Sequence, residues 1–178
     1  MLLTALLGFL LAAGPPPPAI PGVPPPPEGV FEEAITKTAT ERATQEMKAA
    51  LERLDKDSTI PEAQKREIKG KLVHLKIAVF TTPKTLDEIV AFYEKEIAAA
   101  QFNFGERDVL GDARDLATAS GFKLDPQTES AWVGKRGRTA RWGREDRNLE
   151  IDVEDTLIDP RDGKITKKTV VLVTYLGS

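Results

Sequence analysis

The chain has 178 residues, enough for one ordinary domain with extensions, and its 30% charged and 40% hydrophobic content is that of a globular protein. A formal charge of −3 gives no whole-molecule field that would select DNA or an anionic membrane. The absence of cysteine excludes disulfides, thiolate nucleophiles, cysteine zinc sites and a cysteine-linked lipid anchor, but it does not exclude export.

Residues 1–27 contain no Lys, Arg, Asp, Glu or His. The run from Leu2 to Ala13 is apolar and would span roughly 18 Å as a helix, short of the ~30 Å hydrocarbon core of a bilayer. That length, followed by Ala12, Ala13 and Gly14, predicts an export signal over 1–14, and hence a periplasmic, cell-envelope or extracellular location. A signal retained as an anchor is the alternative. No other membrane span is expected.

Residues 15–27 carry nine of the thirteen prolines. Proline fixes φ and lacks a backbone N–H, so the segment should be an extended linker reaching about 40 Å. It reads as a stiff spacer, or as a polyproline ligand for an SH3-like groove. No flanking basic residue orients such a ligand, which favours the spacer. Residues 28–178 then form a single α+β domain, with a helical part over 28–70 and a strand-rich core over 71–178.

Phe31, Ile35, Ala39, Ala43, Met47, Leu51 and Leu54 recur at helical spacing and predict a helix over 30–54. It could dock on a core or pair with a partner helix. Thr59 and Glu62 have capping-box spacing and Gly70 suits a C′ position, predicting a short second helix. Val73, Leu75, Ile77 and Val79 alternate with His74, Lys76 and Ala78, the pattern of a half-buried strand. Pro83 ends it. Thr85 and Glu88 form a second capping-box pattern, and Leu86, Ile89, Val90, Tyr93 and Ile97 mark one face of the helix that follows.

The stretch "FTTPKTLDEIVAFYEKEI" resembles a strand–turn–helix module of uncharacterised exported bacterial proteins. In those proteins a threonine–proline or threonine–aspartate turn precedes a helix of the form "eeVvaFY", and three strands follow. The resemblance covers residues 72–100 and extends to the later strands by pattern. Where Gly-Trp often follows the helix, this chain has "QFNFGE". The resemblance implies an envelope setting and a small α+β domain, and it carries no catalytic residue across.

Val109, Leu110, Ala113, Leu116 and Ala117 predict a short helix ended by Gly121, and residues 122–138 read as an ordered loop containing Trp132. Ala140 and Trp142 alternate with Thr139 and Arg141. Leu149, Ile151 and Val153 alternate with Glu150, Asp152 and Glu154. If these strands form a hairpin around Asp146-Arg147, Arg141 faces Asp152, Thr139 faces Glu154, Trp142 faces Ile151 and Ala140 faces Val153, so apolar meets apolar and opposite charges meet. Asp162-Gly163 predicts another hairpin turn. Residues 169–176, apolar on both faces, predict a central strand covered on both sides. The expected fold is thus α+β, with a small, mainly antiparallel sheet of about four strands in β-α-β-β-β order, preceded by one long and one short helix.

Enzymatic constellations are sparse. His74 is the single histidine and alternates with core residues on a strand. Nucleophile-elbow, zincin and P-loop motifs are missing, and no catalytic, metal or cofactor residues are assigned. Asp152, Glu154, Asp155, Asp159 and Asp162 cluster, but without the spacing of a calcium loop. Lys135, Arg136 and Arg138, with Trp132, supply the cations and the ring that a polyanion site needs. The leading expectation is an exported, non-enzymatic binding or scaffold domain for an envelope protein or a small ligand. One alternative is binding of an anionic polymer or nucleic acid through 135–138. Another is a hydrolase using carboxylates of the 150–162 region.

Overall fold

The computed structural model describes residues 16–71, 74–144 and 148–177. The expected signal over 1–14 and the Asp146-Arg147 turn lie outside the described residues. In chain order the elements are β1 (Val30–Phe31), α1 (Glu33–Lys56), α2 (Glu62–Lys71), β2 (His74–Thr82), α3 (Leu86–Glu96), β3 (Asn103–Arg107), α4 (Val109–Ser120), α5 (Pro126–Trp132), β4 (Gly137–Gly143), β5 (Leu149–Glu154), β6 (Leu157–Ile158), β7 (Ile165–Thr166) and β8 (Thr169–Gly177).

The class is α+β with an antiparallel sheet, but the sheet has six strands rather than four. Its order is β1-β2-β8-β5-β4-β3, and β6 and β7 form a separate hairpin. The two unexpected strands are its edges. β1 is only two residues long, and β3, "NFGER", is almost wholly exposed and shows no alternation. A third correction concerns 122–138: it is not a loop throughout, because Asp125 caps α5 through the Thr128 amide (3.0 Å) and Pro126 occupies the first turn.

The β4–β5 register agrees with the charge-and-size matching: Thr139 is opposite Glu154, Ala140 opposite Val153, Arg141 opposite Asp152 and Trp142 opposite Ile151. β8 is central, paired with β2 on one side and β5 on the other. The Thr85–Glu88 capping box forms and starts α3, and Gly121, at φ 74°, ends α4. The earlier capping expectation fails: the hydroxyl and amide of Thr59 both donate to Asp57, and α2 runs through Gly70 to Lys71. Asp162-Gly163 does lie in the β6–β7 turn, where Gly163 has φ 72° and a Cβ would sit 2.3 Å from Leu124 Cδ2.

The sheet's two faces are covered differently. On the first face lie Ala78 and Phe80 of β2, Val171 and Val173 of β8, Leu149, Ile151 and Val153 of β5, and Ala140 and Trp142 of β4. α3 seals them with Leu86, Ile89, Val90 and Tyr93. Phe102 bridges α3 and β4, its ring centroid 6.4 Å from both Tyr93 and Trp142. Each aliphatic side chain fully buried here contributes roughly 1.5–3 kcal/mol.

The proline-rich segment completes this seal. Expected as a spacer, it packs along the sheet over its described part, and Ile20 is buried in the main core with Val23 against it. Proline carbonyls still accept hydrogen bonds, and the body supplies the donors. Tyr93 Oη donates to Pro24 O (3.3 Å), Thr82 Oγ1 to Pro27 O (2.8 Å) and Lys76 Nζ to Ala19 O (3.2 Å). β2 is accordingly buried on both faces from Ile77 onward, not half-buried as its alternation suggests.

On the second face α1 covers only β2 and β8. Ile35, Ala39 and Ala43 pack on Ile77, Val79, Val170 and Leu172. Thr36 Oγ1 accepts from the Val79 amide (3.0 Å), tying the helix to the strand. The small Ala39 and Ala43 allow the close approach. On this face α4 begins against β4, where Val109 Cγ2 lies 2.7 Å from the place a Gly137 Cβ would take, and Asp112, Leu116 and Ala119 face the space over β5.

Candidate functional site

Between α1 and α4, above the uncovered part of the sheet, lies a cleft of about 590 Å³. Ile35, Ala39 and Arg42 of α1 line one wall, and Asp112, Leu116 and Ala119 of α4 the other. Val170 and Leu172 of β8 and Asp152 and Glu154 of β5 form the floor, while Leu157 and Ile158 of β6 also line the cavity. The volume lies within the range of small-molecule sites, which combine apolar walls with a few convergent polar groups.

The strand periodicity of two creates this composition. β5 sends Leu149, Ile151 and Val153 into the sealed core, so Glu150, Asp152 and Glu154 must point the other way. β8 is apolar on both faces. A boundary between apolar and acidic surface therefore runs along the floor between two neighbouring strands, with Asp152 opposite Leu172 and Glu154 opposite Val170.

Two arginines serve the acids. Arg107, from edge strand β3, reaches Asp112 Oδ2 at 2.8 Å and also pairs with Glu154. Arg141, from β4, pairs with Asp152 and lies 3.1 Å from Glu150 Oε1. Asp152 is almost fully buried, its side chain 10% exposed, whereas Arg141 is 66% exposed. Burial raises the Glu154 carboxyl above the ordinary carboxylate range; Arg107 opposes the rise and Asp152 adds to it. The Asp152 hydrogen bond holds the Arg141 guanidinium still more firmly protonated. Arg42 is matched by Glu46 at 2.9 Å on the α1 wall.

The residues predicted as a basic site lie elsewhere and are largely engaged. Trp132 is buried against Val109, Leu110, Ala113 and Ile165, and Lys135 Nζ stands 5.5 Å from its ring centroid. Arg136 lies 3.7 Å from Glu106 Oε2. The Arg138 guanidinium makes a two-pronged contact with Asp87 at the start of α3, at 2.8 and 3.1 Å, and holds that carboxyl below its ordinary range. The Arg138 amide donates to Asp155 Oδ1 (2.9 Å). Arg138 thus fastens β4 to α3, while Lys135 and Arg136, just before the strand, engage Trp132 and Glu106.

The 150–162 acids also divide. Asp152 and Glu154 face the cleft. Asp155 accepts from Arg138 N and Thr156 Oγ1, Asp159 pairs with Arg161, and Asp162 accepts from the Lys164 amide in the turn. His74 begins β2 opposite Gly177. Among the described residues no group of three or more His, Cys, Asp or Glu is placed to hold a metal ion, and no helix is long and apolar enough to cross a membrane. Sequence reasoning missed Arg107, Asp112 and Leu116. Its usable signal was the alternation of Glu150, Asp152 and Glu154 with Leu149, Ile151 and Val153 in β5.

No family model, curated protein or solved structure matches this chain.

Proposed function

We propose that the protein is a non-enzymatic binding domain whose site is the cleft between α1 and α4, and that its ligand is a small amphipathic molecule. One observation carries this reading: a 590 Å³ cavity whose apolar walls meet the buried carboxylate of Asp152 and the Arg107–Glu154 pair on one floor. Asp152 and Glu154 each contact a guanidinium, and each of those guanidiniums is shared with a second acid, so the floor keeps polar groups able to orient a ligand. The partners found for Arg136 and Arg138 weaken the polyanion alternative. Export is part of the proposal, supported by the composition of residues 1–14 and by the resemblance of residues 72–100 to a module of exported proteins; fractionation of the tagged protein tests it, and retention in the cytoplasm with residue 1 intact would remove it.

The binding reading is tested with a neutral apolar fluorophore, N-phenyl-1-naphthylamine, titrated into the full chain. Saturable enhancement is expected. It should be lost in Gln45→Trp/Ala119→Trp, which fills the cleft from two exposed wall positions outside the core. Absence of saturable enhancement, or equal enhancement in a folded double variant, would refute the site.

A further inference from the structure

We propose that the cleft selects an organic cation: an amine of the aryl-alkyl or alkyl ammonium class, its charged head on the acids of β5 and its apolar body between Leu172 and Leu116. This deepens the binding reading above and rests on it.

The charge balance of the floor points to the head group. Asp112, Asp152 and Glu154 line the cavity and Glu150 stands beside them on β5; the guanidiniums of Arg107, in the lining, and Arg141, just outside it, are shared among these four carboxylates. When all six groups are ionised the cluster keeps two negative charges. The other lining ion pair, Arg42–Glu46, is self-balanced, and Glu41 adds a further acid to the same cavity. An anionic head would meet uncompensated carboxylates in a partly dehydrated site, where like charges repel more strongly than in water. A neutral head would leave the excess as it is.

The register points to the body. Asp152 and Leu172 are directly paired across β5 and β8, as are Glu154 and Val170. Side chains in such pairs stand about 4.5–5.5 Å apart at Cβ, so an ammonium on the carboxylate and a carbon chain on the leucine belong to one small molecule. The apolar half of the cleft, Ile35, Ala39, Leu116 and Ile158, has no use for a bare metal ion.

The test compares three matched probes on the full chain by calorimetry: 4-phenylbutylammonium, 4-phenylbutanol and 4-phenylbutyrate. The ammonium should bind about tenfold or more tightly than the alcohol, and the carboxylate most weakly. Added salt should weaken the ammonium and leave the alcohol unchanged. Asp152→Asn/Glu154→Gln should bring ammonium and alcohol to within about twofold of each other. If that variant does not fold, Glu154→Gln alone should narrow the gap. Equal affinity of ammonium and alcohol, or a preference that survives in the folded variants, overturns the inference. If N-phenyl-1-naphthylamine still saturates the cleft in that case, the binding reading stands and only the cation selectivity fails. If no probe binds, both fail.

Discussion

Toward α3, β5 contributes Leu149, Ile151 and Val153; on its other face it carries Glu150, Asp152 and Glu154, of which Asp152 and Glu154 line the cleft. The first set meets a helix, an aromatic series and a proline-rich strap, and it is sealed. The second meets two shared arginines and an open cavity. Adjacent residues of one strand thus lie in unlike surroundings because strand geometry sends them to opposite faces. The sealed face holds the fold together, and the open face is free to carry a site. The difference lies in the coverings: α1 stops at β8, whereas α3, Phe102 and the strap span the sheet from β2 to β4.

The comparison is sharpest at neighbouring residues. Ile151→Ala, on the sealed face, should destabilise the protein by about 2–5 kcal/mol, because the side chain is fully buried and a packed core relaxes only partly around the gap. Denaturant unfolding measures this. The strap comes next. Ile20→Ala should cost about 2 kcal/mol in the same assay, since Ile20 belongs to the main core. A free spacer would give no change.

On the open face effects are smaller. Arg141→Ala removes the partner of a nearly buried Asp152. The exposure of Arg141 limits the loss to roughly 1 kcal/mol, and that loss should shrink as salt rises. Glu154→Gln is expected to act in the opposite direction. The carboxyl is raised in the folded state, so the protonated form is favoured by folding. That advantage is complete below the ordinary glutamate range and is lost as pH rises through the raised value. At neutral pH the glutamine variant should therefore melt slightly higher than the parent, with the difference vanishing on acidification. A lower melting temperature at neutral pH would mean that the Arg107 pair outweighs burial.

Much of the fold was legible where local pattern and long-range matching agreed. The β4–β5 register could be read because both strands alternate and their charges are complementary, and α3 could be read from its capping box and apolar face. β3 was not legible. Gly105 and exposed polar residues leave it no alternation, and only pairing with β4, Phe104 opposite Ala140, makes it a strand. The strap was half legible. Its prolines predict extended backbone but not a place to lie, and Ile20 and Val23 within it were the overlooked apolar anchors. The cleft was illegible for another reason: its walls come from α1 and α4 and its floor from β5 and β8, groups separated widely along the chain. Arg138 shows the same limit, since its partner Asp87 lies 51 residues away.

The most direct test of an open binding face opposite a sealed one is methyl-resolved NMR of the full chain titrated with 4-phenylbutylammonium. Saturable shifts are expected for Ala39, Leu116, Ala119 and Leu172, with Val153, Val171 and Val173 unmoved. Shifts confined to the sealed-face methyls, or none in either set, would contradict this.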